Sequence, residues 1–142
     1  MRHFTIAVVL LAFATLSSAQ SKKAEADILK VMDDQAAAWN RGDLETFMQG
    51  YWKSDDLVFA SGNNVTRGWQ QTLDNYKKTY GGAGKMGALS FTDVTINLIS
   101  KDAAVVLGSW SLTREKDNPK GKFTLIFRKL KEGWRIVHDH TS

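Results

Sequence analysis

The residues best suited to chemistry stand at the end of the chain, in the run Gly133-Trp134-Arg135-Ile136-Val137-His138-Asp139-His140-Thr141-Ser142. Read as a strand, alternation places Trp134, Ile136, His138 and His140 on one face and Arg135, Val137, Asp139 and Thr141 on the other. One carboxylate is thereby sorted from two imidazoles. If Val137, Asp139 and Thr141 turn inward, desolvation disfavours the ionised carboxylate and suits Asp139 to general acid or base work. If Trp134, Ile136 and the histidines turn inward, Asp139 is a surface residue. The plain alternative to a chemical role is a carboxylate bonded to a neighbouring backbone amide or to Arg135. The count of apolar residues favours the second face assignment. Under either, a buried terminal strand needs partners for its polar groups, so the tail is expected to line a ligand pocket or a subunit interface.

His138 and His140 form a pair of the kind that binds zinc, but a zinc site needs a third and usually a fourth ligand. His3 is the only other histidine and there is no cysteine. No carboxylate stands at a suggestive spacing, so neither a metal nor a cofactor is expected. The chain holds five tryptophans, more than a core of this size requires. Ligand cavities are mostly apolar and aromatic with a few polar groups. Trp39, Tyr51, Trp69, Trp110 and Phe123 are accordingly candidate pocket residues, and Gln35, one helical turn before Trp39, is a candidate polar contact. Asn64-Val65-Thr66 fits the glycosylation pattern, which matters only in a eukaryotic secretory pathway.

The elements that must position these residues follow from periodicity. Ile28, Met32, Ala36 and Trp39 recur at helical spacing and predict a helix over 24–40, ended by Asn40-Arg41-Gly42 with Gly42 in a left-handed cap. Asp43 caps a second, short helix through about Gly50, with Leu44, Phe47 and Met48 inward. Leu57 to Ala60 reads as a short strand and Ser61 to Asn64 as a turn. Trp69, Leu73, Tyr76 and Tyr80 form the stripe of a third helix. The Gly-rich piece Gly81 to Gly87 follows a helix and lacks the Ser or Thr after Lys85 that a phosphate loop requires, so it is a connector.

From Leu89 onward the chain is strand-like. Leu89 and Phe91 share one parity and Val94, Ile96 and Leu98 the other, which predicts a bulge near Thr92-Asp93. Further strands run over 103–113 and 120–130, and a tight hairpin at Lys131-Glu132-Gly133 leads into the last one. Helices segregated to one side of an antiparallel sheet define an α+β fold.

Met1-Arg2-His3, the apolar run Phe4 to Leu16 and the small residues Ser17 and Ala19 have the layout of a secretory signal, cleaved after Ala19. The apolar run has thirteen positions, two of them Thr, short of the about 20 apolar residues a stable membrane anchor needs. Residues 20–142 then form a single domain in the extracellular or periplasmic space, held by its core without disulfides. The net charge is +4, one less once Arg2 leaves, and the basic residues are scattered. That excludes a nucleic-acid surface, which needs a basic stripe.

The order of these elements, together with Asn40-Arg41-Gly42-Asp43-Leu44-Glu45, Tyr51 to Phe59, Gly68-Trp69, Asp102-Ala103-Ala104 and the Gly-Trp-x-x-Val-His-x-His-x-Ser tail, resembles the nuclear transport factor 2-like superfamily. Within it the chain is similar to small SnoaL-like proteins and to the association domain of calmodulin-dependent protein kinase II. The resemblance covers nearly all of residues 24–142. It implies a cone-shaped, strongly curved antiparallel sheet wrapped around three N-terminal helices, the cystatin-like architecture, with a pocket on the concave side and a homodimer through the outer sheet face. It also implies that Trp110, Leu125 and Thr141 face the pocket, with Asp139 beside them by alternation and His138 and His140 outside. The catalytic Asp and Tyr of the ketosteroid isomerases would fall at Ser61 and near Gln35, so that machinery is missing. The arginines of the kinase pocket are replaced by Trp110, Leu125 and Thr141, which leaves a similar acidic ligand unpaired.

Three functions compete. The first is an exported, dimeric module holding a small apolar or aromatic molecule. The second is a lyase, isomerase or cyclase using Asp139 as acid or base, with Gln35 or Tyr51 as donor. The third is a pure assembly domain with a filled core. The first is preferred, because catalysis usually needs a partner for the one visible acid.

Overall fold

The computed structural model describes residues 4–82 and 84–142, with side chains from Ser18 onward. Met1 to His3, Ala83 and the side chains up to Ser17, on which the expected secretory signal falls, lie outside the described residues. Helix α1 (Phe4–Asn40) therefore begins well before the expected Ala24. Its inward stripe is Ile28, Met32, Gln35 and Trp39, all buried, so Gln35 takes the place expected of Ala36. Gly42, at φ +79, makes the left-handed exit. Asp43 then caps α2 (Leu44–Met48) by accepting from the Thr46 amide at 2.9 Å.

Strand β1 (Val58–Ser61) turns back at once into β2 (Asn64–Arg67), where the sequence predicted only a turn. Gly62 lies at φ +56, the first central position of a two-residue hairpin that favours glycine, and the register runs from Ser61↔Asn64 to Val58↔Arg67. Helix α3 (Trp69–Tyr80) follows, and then the meander β3 (Ala88–Ser100), β4 (Ala103–Thr113), β5 (Lys120–Leu130) and β6 (Gly133–Thr141). The six strands form one sheet in the order β2-β1-β6-β5-β4-β3. Its pairings are antiparallel except β1 with β6, which is parallel, so the sheet is mixed where an antiparallel one was expected.

Two bulges shape its inner face. In β3 the parity switch falls at Asp93, which takes φ +53 between the pairs Thr92↔Ser109 and Thr95↔Leu107. In β6 the register slips between Ile126 and Phe127: Phe127 pairs with Ile136, Ile126 pairs with His138, and Val137 is the extra residue. The filled core lies before this second bulge, where Phe127, Ile136, Trp134, Ala104 and Val106 join Ile28 and Met32 of α1, each at most 2 % exposed. Among the described residues no helix is long and apolar enough to cross a membrane.

Candidate active or binding site

The bulge at Val137 resolves the two face assignments of the last strand, since each holds for half of it. Trp134 and Ile136 point inward before the bulge. After it Asp139 stands opposite Leu125 and Thr141 opposite Phe123 on the same inner face. His138 and His140 pair with Ile126 and Thr124, half-buried and exposed respectively.

The segment after α2 brings a second functional group to this place. The Trp52 amide donates to the Ile136 carbonyl and the Ile136 amide to the Gly50 carbonyl, each at 2.9 Å. Tyr51 is thereby bridged to β6, and its hydroxyl donates to Asp139 Oδ2 at 2.8 Å. The Thr141 hydroxyl donates to Oδ1 at 2.5 Å. Asp139 is only 3 % exposed.

Burial disfavours its charge and pushes the carboxyl up to about 6, while the Thr141 and Tyr51 hydroxyls and the neighbouring His140 pull in the opposite direction. Burial also holds the Tyr51 phenol well above 10, reinforced by the Asp139 charge, so Tyr51 remains a donor at neutral pH. Tyr76 is raised as well, through burial and then the charge of Asp139. Among the described residues no Lys, Arg or His side chain pairs with Asp139, and no cluster of three or more metal-ligating groups exists.

Asp139 lies in the wall of a hollow of about 680 Å³ between the sheet and the helices. The sheet contributes Trp110, Leu112, Phe123 and Leu125, and the helices contribute Trp39, Phe47, Tyr76 and Tyr80. Edge-to-face contacts knit the helical rings together, with centroids 5.2 Å apart for Trp39 and Phe47 and 4.9 Å for Trp39 and Tyr80. Gly108 makes room on the sheet side, because a Cβ there would overlap the ring of Phe123 directly opposite. Trp110 donates its indole N–H to the Ser142 carbonyl at 3.2 Å. Polar side chains, among them Asn64, Asn75, Lys78 and Lys85, stand at the same hollow.

Of the residues singled out from sequence, Trp39, Tyr51, Trp110, Phe123, Asp139 and Thr141 line this hollow. Gln35 does not. It is buried on the other side of α2, donates to the Phe47 carbonyl at 3.2 Å and fills the space under Gly50, where a Cβ would stand 2.5 Å from its Cδ. Trp69 is also elsewhere: its indole N–H holds the Met48 carbonyl at 2.8 Å and Lys53 lies over its ring. Both fix α2 in place. Sequence reading missed Phe47, Phe59, Tyr76 and Tyr80 as pocket residues. The α3 stripe contained Tyr76 and Tyr80, and their spacing alone reads as core. Phe59 reaches the site because parallel pairing sets it beside Asp139, a long-range relation without local signal.

A helical layer packed into a curved sheet around such a hollow is the NTF2-like, cystatin-like architecture. Residues 28–142 match the SnoaL-like domain family, and the chain belongs to it. It is similar to an NTF-2 like protein of unknown function from Shewanella oneidensis MR-1, at 43 % identity over 83 % of this chain and 98 % of that one, with a TM-score of 0.80. An NTF2-like superfamily protein from Salmonella enterica serovar Typhimurium shares the fold at 22 % identity over 89 % and 92 % of the two chains, TM-score 0.69. So does LinA, at 14 % identity over 89 % of each chain, TM-score 0.75. No curated protein matches the chain.

Proposed function

We propose that this domain binds a small apolar or aromatic molecule inside the cone. The observation that carries the reading is the hollow of about 680 Å³ walled by aromatic rings, a volume inside the range of about 300–1,000 Å³ usual for ligand pockets. A pure assembly domain has no use for such a space, and close packing would fill it. The test is titration calorimetry with neutral 2-naphthalenemethanol. Binding is expected to the wild-type chain and not to Leu125→Trp, whose indole occupies the hollow. Failure of the wild type to bind any aromatic probe of this size, neutral or charged, overturns the reading.

A second reading rests on a specific observation, the buried Asp139 bonded to Tyr51 and Thr141. A carboxyl near pKa 6 is suited to moving a proton close to neutral pH, as an isomerase, lyase or cyclase requires. Asp139→Asn separates the readings, because it abolishes turnover while sparing binding of a neutral ligand. The apolar leader supports export, and exposed Leu107 and Ile126 on the outer sheet face support a homodimer through that face. Sedimentation of the chain with and without Leu107→Lys tests the second point, the variant being expected as monomer.

A further inference from the structure

We propose that the ligand is an organic cation, an apolar or aromatic amine whose ammonium group sits against Asp139. The inference rests on the pocket reading above and names the ligand class. Its basis is an imbalance in the site. Asp139 is 3 % exposed, and buried carboxylates ordinarily have a cationic partner or a metal. Here the carboxylate has two hydroxyl donors, from Tyr51 and Thr141, which spread its charge without neutralising it. Each carboxylate oxygen has two acceptor sites, and one on each remains after those bonds. Asp139 itself lines the hollow.

The surrounding walls fit the same ligand. Phe47, Tyr51, Phe59 and Tyr76 form a continuous group, with centroids 5.3 Å apart for Phe47 and Tyr76 and 5.7 Å for Phe59 and Tyr76. The faces of such rings attract a cation. Opposing charge comes from Lys78 and Lys85 at the same hollow, but both are exposed. Screening by salt weakens their repulsion beyond about 8 Å, whereas the interior carboxylate acts through a low dielectric.

Three probes of one shape test the idea: naphthalen-2-ylmethylammonium, 2-naphthalenemethanol and 2-naphthoate. At pH 7.5 the ammonium is expected to bind at least about tenfold more tightly than the alcohol, the carboxylate least. In Asp139→Asn the ammonium loses that advantage and the alcohol keeps its affinity. A second readout needs no variant. At pH 6 the bound ammonium drives the proton off Asp139, so calorimetry in buffers of different ionisation enthalpy shows proton release, absent with the alcohol.

The titratable groups acting on Asp139 are Tyr51 from the segment after α2, which donates to it, Tyr76 from α3, and His140, next to it on β6 but on the outer face. β5 and β1 present Leu125 and Phe59, which do not titrate. Equal affinity for alcohol and ammonium, or a preference for the carboxylate, overturns the cation inference and leaves the pocket reading standing. No binding by any of the three overturns both.

Discussion

Before Val137 the inner face of β6 closes on a filled core, with Ile136 opposite Phe127 and both at most 1 % exposed. After Val137 the same face carries Asp139 and Thr141 into a hollow. A single inserted residue separates the two regimes. Without it, period-two alternation would continue from Trp134 and Ile136 to His138 and His140, and Asp139 would face solvent. The bulge thus lets one strand serve stability with its first half and the site with its second.

The contrast is broken most directly by truncation. Phe127→Ala, in the filled region, is expected to cost about 3–5 kcal/mol. Phe123→Ala, whose ring borders the hollow, should cost about 2 kcal/mol less, because its removal enlarges an existing space instead of opening a new one. Urea unfolding of both variants is the measurement. Equal costs would mean that the two halves are packed alike.

A somewhat smaller effect sharpens the electrostatic side. Asp139 titrates near 6 when folded and near 3.9 when unfolded, so between these values the native state holds the extra proton. Stability contributed this way is complete below pH ~4 and is lost as pH rises through ~6, about 3 kcal/mol in all. Asp139→Asn removes this slope and should be the more stable protein at pH 7. Unfolding curves from pH 4 to 8 decide it, and a wild-type profile without the falling limb would show that the carboxylate is well solvated.

Much of this arrangement was legible in the chain. Local signals marked α3, β4 and β5 because their periodic runs end at glycines or polar turns. The Asp93 bulge was readable because apolar residues flank it on both sides and change parity. The Val137 bulge was not, since Val137 is itself apolar and each of two unbroken alternations accounted for half of the strand. Gln35 shows a different limit. A glutamine on an apolar helical stripe near a tryptophan reads equally as a pocket contact or as a buried bracket for a neighbouring helix. The Phe47 carbonyl that claims its amide lies twelve residues away. β2 escaped notice because Asn64 and Thr66 carry no apolar alternation, and its pairing is set by the turn at Gly62.

The smallest expected effect tests whether the hydroxyls hold the charge in the hollow half. Thr141→Val keeps the shape and removes the donor to Asp139 Oδ1. That donor favours the ionised form, so its loss raises the Asp139 pKa further. A hydrogen bond to a charged group is worth about 1.5 kcal/mol, which corresponds to about one pH unit. The falling limb of stability should therefore end about one pH unit higher than in the wild type. Below pH 4, where the carboxyl is protonated in both proteins, the two should differ far less than at pH 8. An unmoved limb would mean that Tyr51 alone sets the charge, and Tyr51→Phe should then produce the whole displacement.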